Sequence, residues 1–189
     1  MRPLATARRI GVISDTHIPS RAKSIPEAAL NLFADVDLIL HAGDLSTLAA
    51  LDPLQTLAPV YAVHGNVESD ETLAALPAKR EIEVGGCVIG MIHNLGQRTM
   101  YAATSRSEFP GARVIVIGHS HIPFVEETAG LLLLNPGSAT DRRQQPTCTV
   151  AILTIGRRAR RIRASMTCPS YCSPHRRRRA LGGQLVIRL

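Results

Sequence analysis

Seven side chains able to ligate a metal follow short apolar runs in this chain of 189 residues. Asp15 and His17 close "GVISDTH", Asp44 follows "LILHAG", Asn66 follows "VYAVHG", His93 follows "CVIGMI", and His119 and His121 follow "VIVIG". An apolar run normally leaves a sheet through Gly, Asn or Pro, which suit turns for backbone reasons. Repeated endings on Asp and His point instead to ligands gathered beyond strand ends, because the carboxyl ends of parallel strands in an α/β sheet face one crevice. The i, i+2 spacing predicts that Asp15 with His17, and His119 with His121, leave extended backbone on the same side and reach one centre together.

Imidazoles mixed with carboxylates and one amide oxygen suit Mn, Fe, Zn, Ni or Co better than Ca or Mg, which take oxygen-rich shells. Seven ligands are too many for one tetrahedral ion and fit two divalent transition-metal ions sharing a bridge, with manganese preferred. Asp44 is the expected bridge, since its carboxylate has two oxygens and "GD" sets it on a tight turn. With a bridging hydroxide the cluster keeps a net charge of about +1, enough to attract a phosphate ester and polarise it while the hydroxide serves as nucleophile.

The elements that must position these ligands alternate. Strand-like "RIGVIS", "VDLILHAGD" and "PVYAVHGN" are separated by helix-like "SIPEAALNLFA" (24–34) and "STLAALDPLQTLA" (46–58). This rhythm argues for parallel strands with helices packed on them. The pattern then changes to hairpins, turning at Gly85-Gly86, around Ala129-Gly130 and near Gly156. A helix over 99–109 and a buried strand in "ARVIVIGHSH" lie between them. The expectation is an α/β fold with two sheets and helices outside. It comprises a domain over residues 1–164 and a basic, poorly ordered tail over 165–189.

The charge of +7 suggests an acidic partner until it is divided by segment. Residues 1–155 hold 12 Lys and Arg against 15 Asp and Glu, and the remaining 10 basic residues all lie in 156–189 with no acid. The basicity therefore belongs to the tail. Cys87 and Cys148 sit singly in apolar runs and read as small core hydrophobes without a disulfide. Cys168, Cys172 and His175 could sketch half a zinc site, but a fourth ligand is missing. No signal-peptide h-region follows the N-terminal positive charge, and no apolar run reaches membrane-span length, so a cytoplasmic protein without a membrane partner is expected.

"DTH" at 15–17, "GD" at 43–44, "GN" at 65–66, His93 and "GHSH" at 118–121 resemble, in order and spacing, the calcineurin-like metallophosphoesterases. "NPGS" at 135–138 and the compact length are similar to the small single-domain YfcE-type phosphodiesterases. The resemblance covers about residues 9–164. It implies a two-sheet αββα sandwich and a dinuclear centre, with Asp15, His17, Asp44 and His121 on one ion and Asp44, Asn66, His93 and His119 on the other. Catalytic roles are implied for Asp44 and Asn66, and for His64 where the small subgroup commonly has Arg, a structural role being the alternative. Many relatives follow Asn with a proton-donating His, whereas "GNVE" has Val67 and Glu68. Asn94 stands where Gly usually follows the histidine.

His41 lies three residues before Asp44 and is expected to pack behind the site. Arg142 and Arg143 read as a solvated loop pair rather than phosphate ligands. The expected partner is a small phosphodiester substrate, and a homo-oligomer stays open. Two rivals remain. One is a protein-interaction scaffold on the same fold, as in the small retromer subunit, which would be expected to have lost ligands. The other is nucleic-acid binding through "RRARRIR" and "RRRR", which the scarcity of aromatics (3 Phe, 3 Tyr, no Trp) disfavours.

Overall fold

A computed structural model describes residues 8–128, 130–156, 161–168 and 185–188, the last group as backbone. One sheet is built on β1 (Arg9–Ile13), which lies between parallel β2 (Leu38–His41) and antiparallel β9 (Val150–Ile155). β3 (Val60–Ala62) extends it beyond β2, and β10 (Ile162–Thr167) and β11 (Leu185–Arg188) extend it beyond β9, giving the order β11-β10-β9-β1-β2-β3. The second sheet is formed by β4 (Lys79–Val84), β5 (Cys87–Ile92), β6 (Val114–Val116), β7 (Phe124–Thr128) and β8 (Leu131–Asn135) in the order β4-β5-β6-β8-β7. Within it β5, β6 and β8 run parallel.

The central strands β1, β2, β6 and β8 are buried on both faces and read as continuous apolar runs, whereas β4, β7 and β10 expose residues on one face. Alternation still sorts the side chains. Ile10, Val12, Leu38 and Leu40 of the first sheet meet Val114, Val116, Leu132 and Leu134 of the second in the central layer. The intervening Ile13 and Ile39 face outward to Phe33 and Leu54, while Ile115, Leu131 and Leu133 face outward to Phe109 and Leu95. A glycine admits each outer aromatic: a Cβ at Gly11 would lie 2.9 Å from the Phe33 ring, and one at Gly90 would lie 2.6 Å from Phe109. The layers are those of the expected αββα sandwich.

The outer layer holds α1 (Glu27–Leu32), α2 (Asp52–Gln55), α3 (Asp70–Ala75) and α4 (Tyr101–Glu108). The single helix expected over 46–58 is instead a 3₁₀ turn at Leu48–Leu51 followed by α2. Pro53 explains the break, since it lacks the N–H that a continuous helix would use. Helix α3 was not expected. Ser69 starts it by accepting the Thr72 N–H, and Asp70 and Glu71 complement its first turn. β10 continues past Ala164 to Thr167, and Leu185–Arg188 pairs with it.

Most of the basic tail falls outside the described residues, as do Cys172 and His175 of the half zinc site. Cys148, expected as a core residue without a disulfide, is disulfide-bonded, whereas Cys87 is a buried thiol. Among those residues, no helix is long and apolar enough to cross a membrane.

Candidate metal centre

The carboxyl ends of β1, β2, β3, β5 and β6 supply Asp15 and His17, Asp44, Asn66, His93, and His119 with His121 in that order. The structure brings these seven residues to one place. The backbone does so by a route unlike the expected one. Asp15 (φ 54°), His17 (φ 47°), Asp44 (φ 57°), His119 (φ 67°) and His121 (φ 59°) are all left-handed rather than extended. Non-glycine residues seldom adopt this region, and their concentration here marks a site that the surrounding contacts over-determine. The i, i+2 residues His119 and His121 accordingly fall in different groups.

Asp15, His17 and His121 form one group, and Asp44, His93 and His119 the other, with the candidate ligand atoms of each within 4.8 Å of one another. In the first, the His17 and His121 Nε2 atoms are 3.2 Å apart and His121 Nε2 is 3.3 Å from Asp15 Oδ1. In the second, His93 Nε2 is 3.2 Å from Asp44 Oδ1. Asn66 joins it through Oδ1, 3.0 Å from His119 Nδ1. Asp44 lies between the groups, its Oδ2 being 3.9 Å from His17 Nε2.

The donor set fits a metal. His93 donates Nδ1–H to the Ala42 carbonyl at 2.7 Å, leaving a lone pair on Nε2. That buried nitrogen has no hydrogen-bond partner, although Asp44 Oδ1 is near it. His121 likewise donates Nδ1–H to the Asp141 carbonyl at 2.5 Å and turns its Nε2 toward His17 and Asp15. Carbonyl-oriented imidazoles with the other nitrogen facing carboxylates are what a metal requires of histidine ligands.

Charge inside the site follows from this crowding. Burial works to raise the Asp44 pKa, but the His93 imidazole beside it, the Asn66 N–H and His17 outweigh it and bring it to about 2. Burial works to lower His93, and Asp44 and Asp15 overcome it, so its pKa is raised. At His17 burial wins over Asp44 and Asp15, and the imidazole is held below its ordinary range.

Several supporting residues carried no sequence signal for their role. Ser138 donates to the Asp15 carbonyl at 2.7 Å, and Thr140 donates to the Thr16 carbonyl at 2.8 Å, clamping the loop after β1. The "NPGS" run hinted at this segment without revealing its partner. Glu68 accepts the N–H groups of Leu45, Ser46 and Gly65 and so joins the loops that carry Asp44 and Asn66. Its carboxylate is therefore committed. His41 is fully buried, with Nε2 3.0 Å from Thr16 Oγ1, and burial lowers its pKa to about 4. His64 sets Nδ1 2.9 Å from the Gly65 carbonyl and is absent from the residues lining the nearby cavity. That cavity, about 360 Å³, is lined by His17, Asp44, Asn66, His119, Val67 and Arg143, with Ser20, Arg21 and Ser46 completing it.

Residues 9–158 match the calcineurin-like phosphoesterase superfamily domain. A protein of Methanothermobacter thermautotrophicus named a probable metallophosphoesterase is 45% identical over 135 residues, covering 69% of this chain and 77% of its own. A probable metallophosphoesterase of Methanocaldococcus jannaschii is 40% identical over 136 residues, covering 69% of this chain and 68% of its own. In fold, wild-type Vps29 of Entamoeba histolytica complexed with zinc aligns with a TM-score of 0.74 at 24% identity, covering 96% of this chain and 98% of that one. Domain match, close relatives and a two-sheet fold with a convergent donor set agree, and the chain belongs to the calcineurin-like phosphoesterase superfamily of metal-dependent phosphoesterases.

Proposed function

We propose that the chain hydrolyses small phosphodiesters at a centre for two divalent ions, with Asp15, His17, Asp44 and His121 around one and Asp44, Asn66, His93 and His119 around the other. The position of Asp44 carries this reading: its two oxygens face different groups, and beside one of them the buried His93 Nε2 has no hydrogen-bond partner. When bound, the ions, manganese preferred, would polarise the phosphoryl oxygens and supply the hydroxide nucleophile. The chain's own part is orientation. Ala42 and Asp141 carbonyls fix the His93 and His121 rings, and Glu68 fixes the turns bearing Asp44 and Asn66.

Hydrolysis forms a P–O bond to the attacking oxygen and breaks the P–O bond to the leaving group, which must then be protonated. Val67, 44% exposed on the cavity wall, offers no proton there, and the Glu68 carboxylate beside it is occupied by backbone N–H groups. General-acid help is worth roughly 10²- to 10⁴-fold, so esters with good leaving groups are the favoured substrates. A diester also leaves two non-bridging oxygens sharing a single charge, matching a cluster of about +1.

The test compares bis-p-nitrophenyl phosphate with p-nitrophenyl phosphate at equal metal loading. Faster turnover of the diester is expected. A clear monoester preference would overturn the diester assignment alone. Two bound ions with no hydrolysis of either ester would favour the protein-interaction scaffold, which the likeness to Vps29 otherwise supports only at the level of fold.

A further inference from the structure

Three arginines stand near the cavity, and two are committed. Arg21 pairs with the Asp141 carboxylate at 2.8 Å, and Arg142 turns its guanidinium to the Gln145 carbonyl at 2.6 Å. Arg143 differs. It bonds through its backbone N–H, 3.3 Å from Asp141 Oδ1, and its guanidinium has no partner among the described residues. Its backbone is left-handed, φ 46°, a conformation costly for a long side chain unless the local turn holds it. From there Arg143 lines the cavity together with His17, Asp44, Asn66 and His119.

We propose that Arg143 is a specificity-determining residue that grips a non-bridging phosphoryl oxygen of the substrate. The proposal rests on the phosphoesterase reading and deepens it. A guanidinium matches phosphoryl geometry with two parallel N–H donors, which a lysine ammonium cannot do. One oxygen of a diester is then left to the centre and the other to Arg143. The cavity of about 360 Å³ suits a phosphoryl group with small substituents. The same grip holds the phosphomonoester product, whose charge is higher, so Arg143 also strengthens product inhibition. The expectation of a solvated Arg142–Arg143 pair is thereby divided, Arg142 serving the loop and Arg143 the substrate.

The test uses the full chain loaded with manganese and inorganic phosphate as probe. Phosphate affinity is measured by calorimetry, kcat/KM on bis-p-nitrophenyl phosphate by rate, and metal content by elemental analysis. Arg143→Ala should keep the wild-type metal content and lose about 10- to 100-fold in phosphate affinity and in kcat/KM. Arg143→Lys should fall between the two, and Arg142→Ala should match the wild type. Unchanged phosphate affinity in Arg143→Ala, with an active wild type, overturns the grip and leaves the phosphoesterase reading standing. Metal loss in Arg143→Ala also overturns it, by showing a role in building the centre. A metal-loaded wild type that neither binds phosphate nor hydrolyses the diester overturns the phosphoesterase reading and the grip together.

Discussion

The two ligand groups differ in depth. Asp15, His17 and His121 are at most 2% exposed, and the loop 135–141 closes over them with hydroxyl and carbonyl contacts. In the other group Asp44 and His93 are buried, but His119 is only partly so and Asn66 is exposed. The first group touches the cavity through His17, whereas Asp44, Asn66 and His119 of the other form a larger part of its wall. Asp44 alone faces both groups.

Asp44→Asn offers the largest effect and the most direct attack on this division. It should abolish hydrolysis of monoester and diester alike and lower occupancy of both ions, as seen by paired rate and elemental analyses. A variant that keeps full activity with one ion would show that the groups are independent. Next, Asp15→Ala and His119→Ala should separate them. The first should empty the enclosed group and lower the thermal midpoint. The second should leave close to one ion per chain and little change in melting. Equal losses in the two variants would remove the distinction in depth.

Glu68→Gln probes the outer group without touching a ligand. It keeps the side-chain length and weakens the acceptor for Leu45, Ser46 and Gly65. Supporting residues of this kind typically cost about 10- to 100-fold in metal affinity or activity. The loss should fall on the weaker of two binding steps in a manganese titration, with the tighter one unmoved. His64→Ala should do least, leaving metal content unchanged, since its ring nitrogen rests on the Gly65 carbonyl.

The convergence of the candidate ligands was readable because such side chains betray themselves by type and by their place after apolar runs, and those runs became β1, β2, β3, β5 and β6. Their backbone conformation was not. Nothing in "DTH" or "HSH" tells extended from left-handed, and the difference decides which histidine meets which carboxylate. Contacts distant in sequence were equally hidden, such as Ser138 on Asp15 and Glu68 on Leu45. The helix expected over 46–58 failed for a local reason, Pro53, that the sequence did contain. Helix α3 was missed because its few residues show too little apolar periodicity, though Ser69 followed by Asp70 and Glu71 was a start signal.

The strand order has a consequence for how the centre matures in time. All seven ligands lie at or before His121, yet the loop that clamps Asp15 and orients His121 comes later, and so does β9, the antiparallel neighbour of β1. A nascent chain therefore presents every donor before it has the parts that enclose the deep group. At synthesis rates of about 5–20 residues per second the interval between His121 and Ile155 lasts about 2–7 seconds. On the proposed reading, metal capture in its final geometry belongs after that interval, as a step of maturation rather than of elongation.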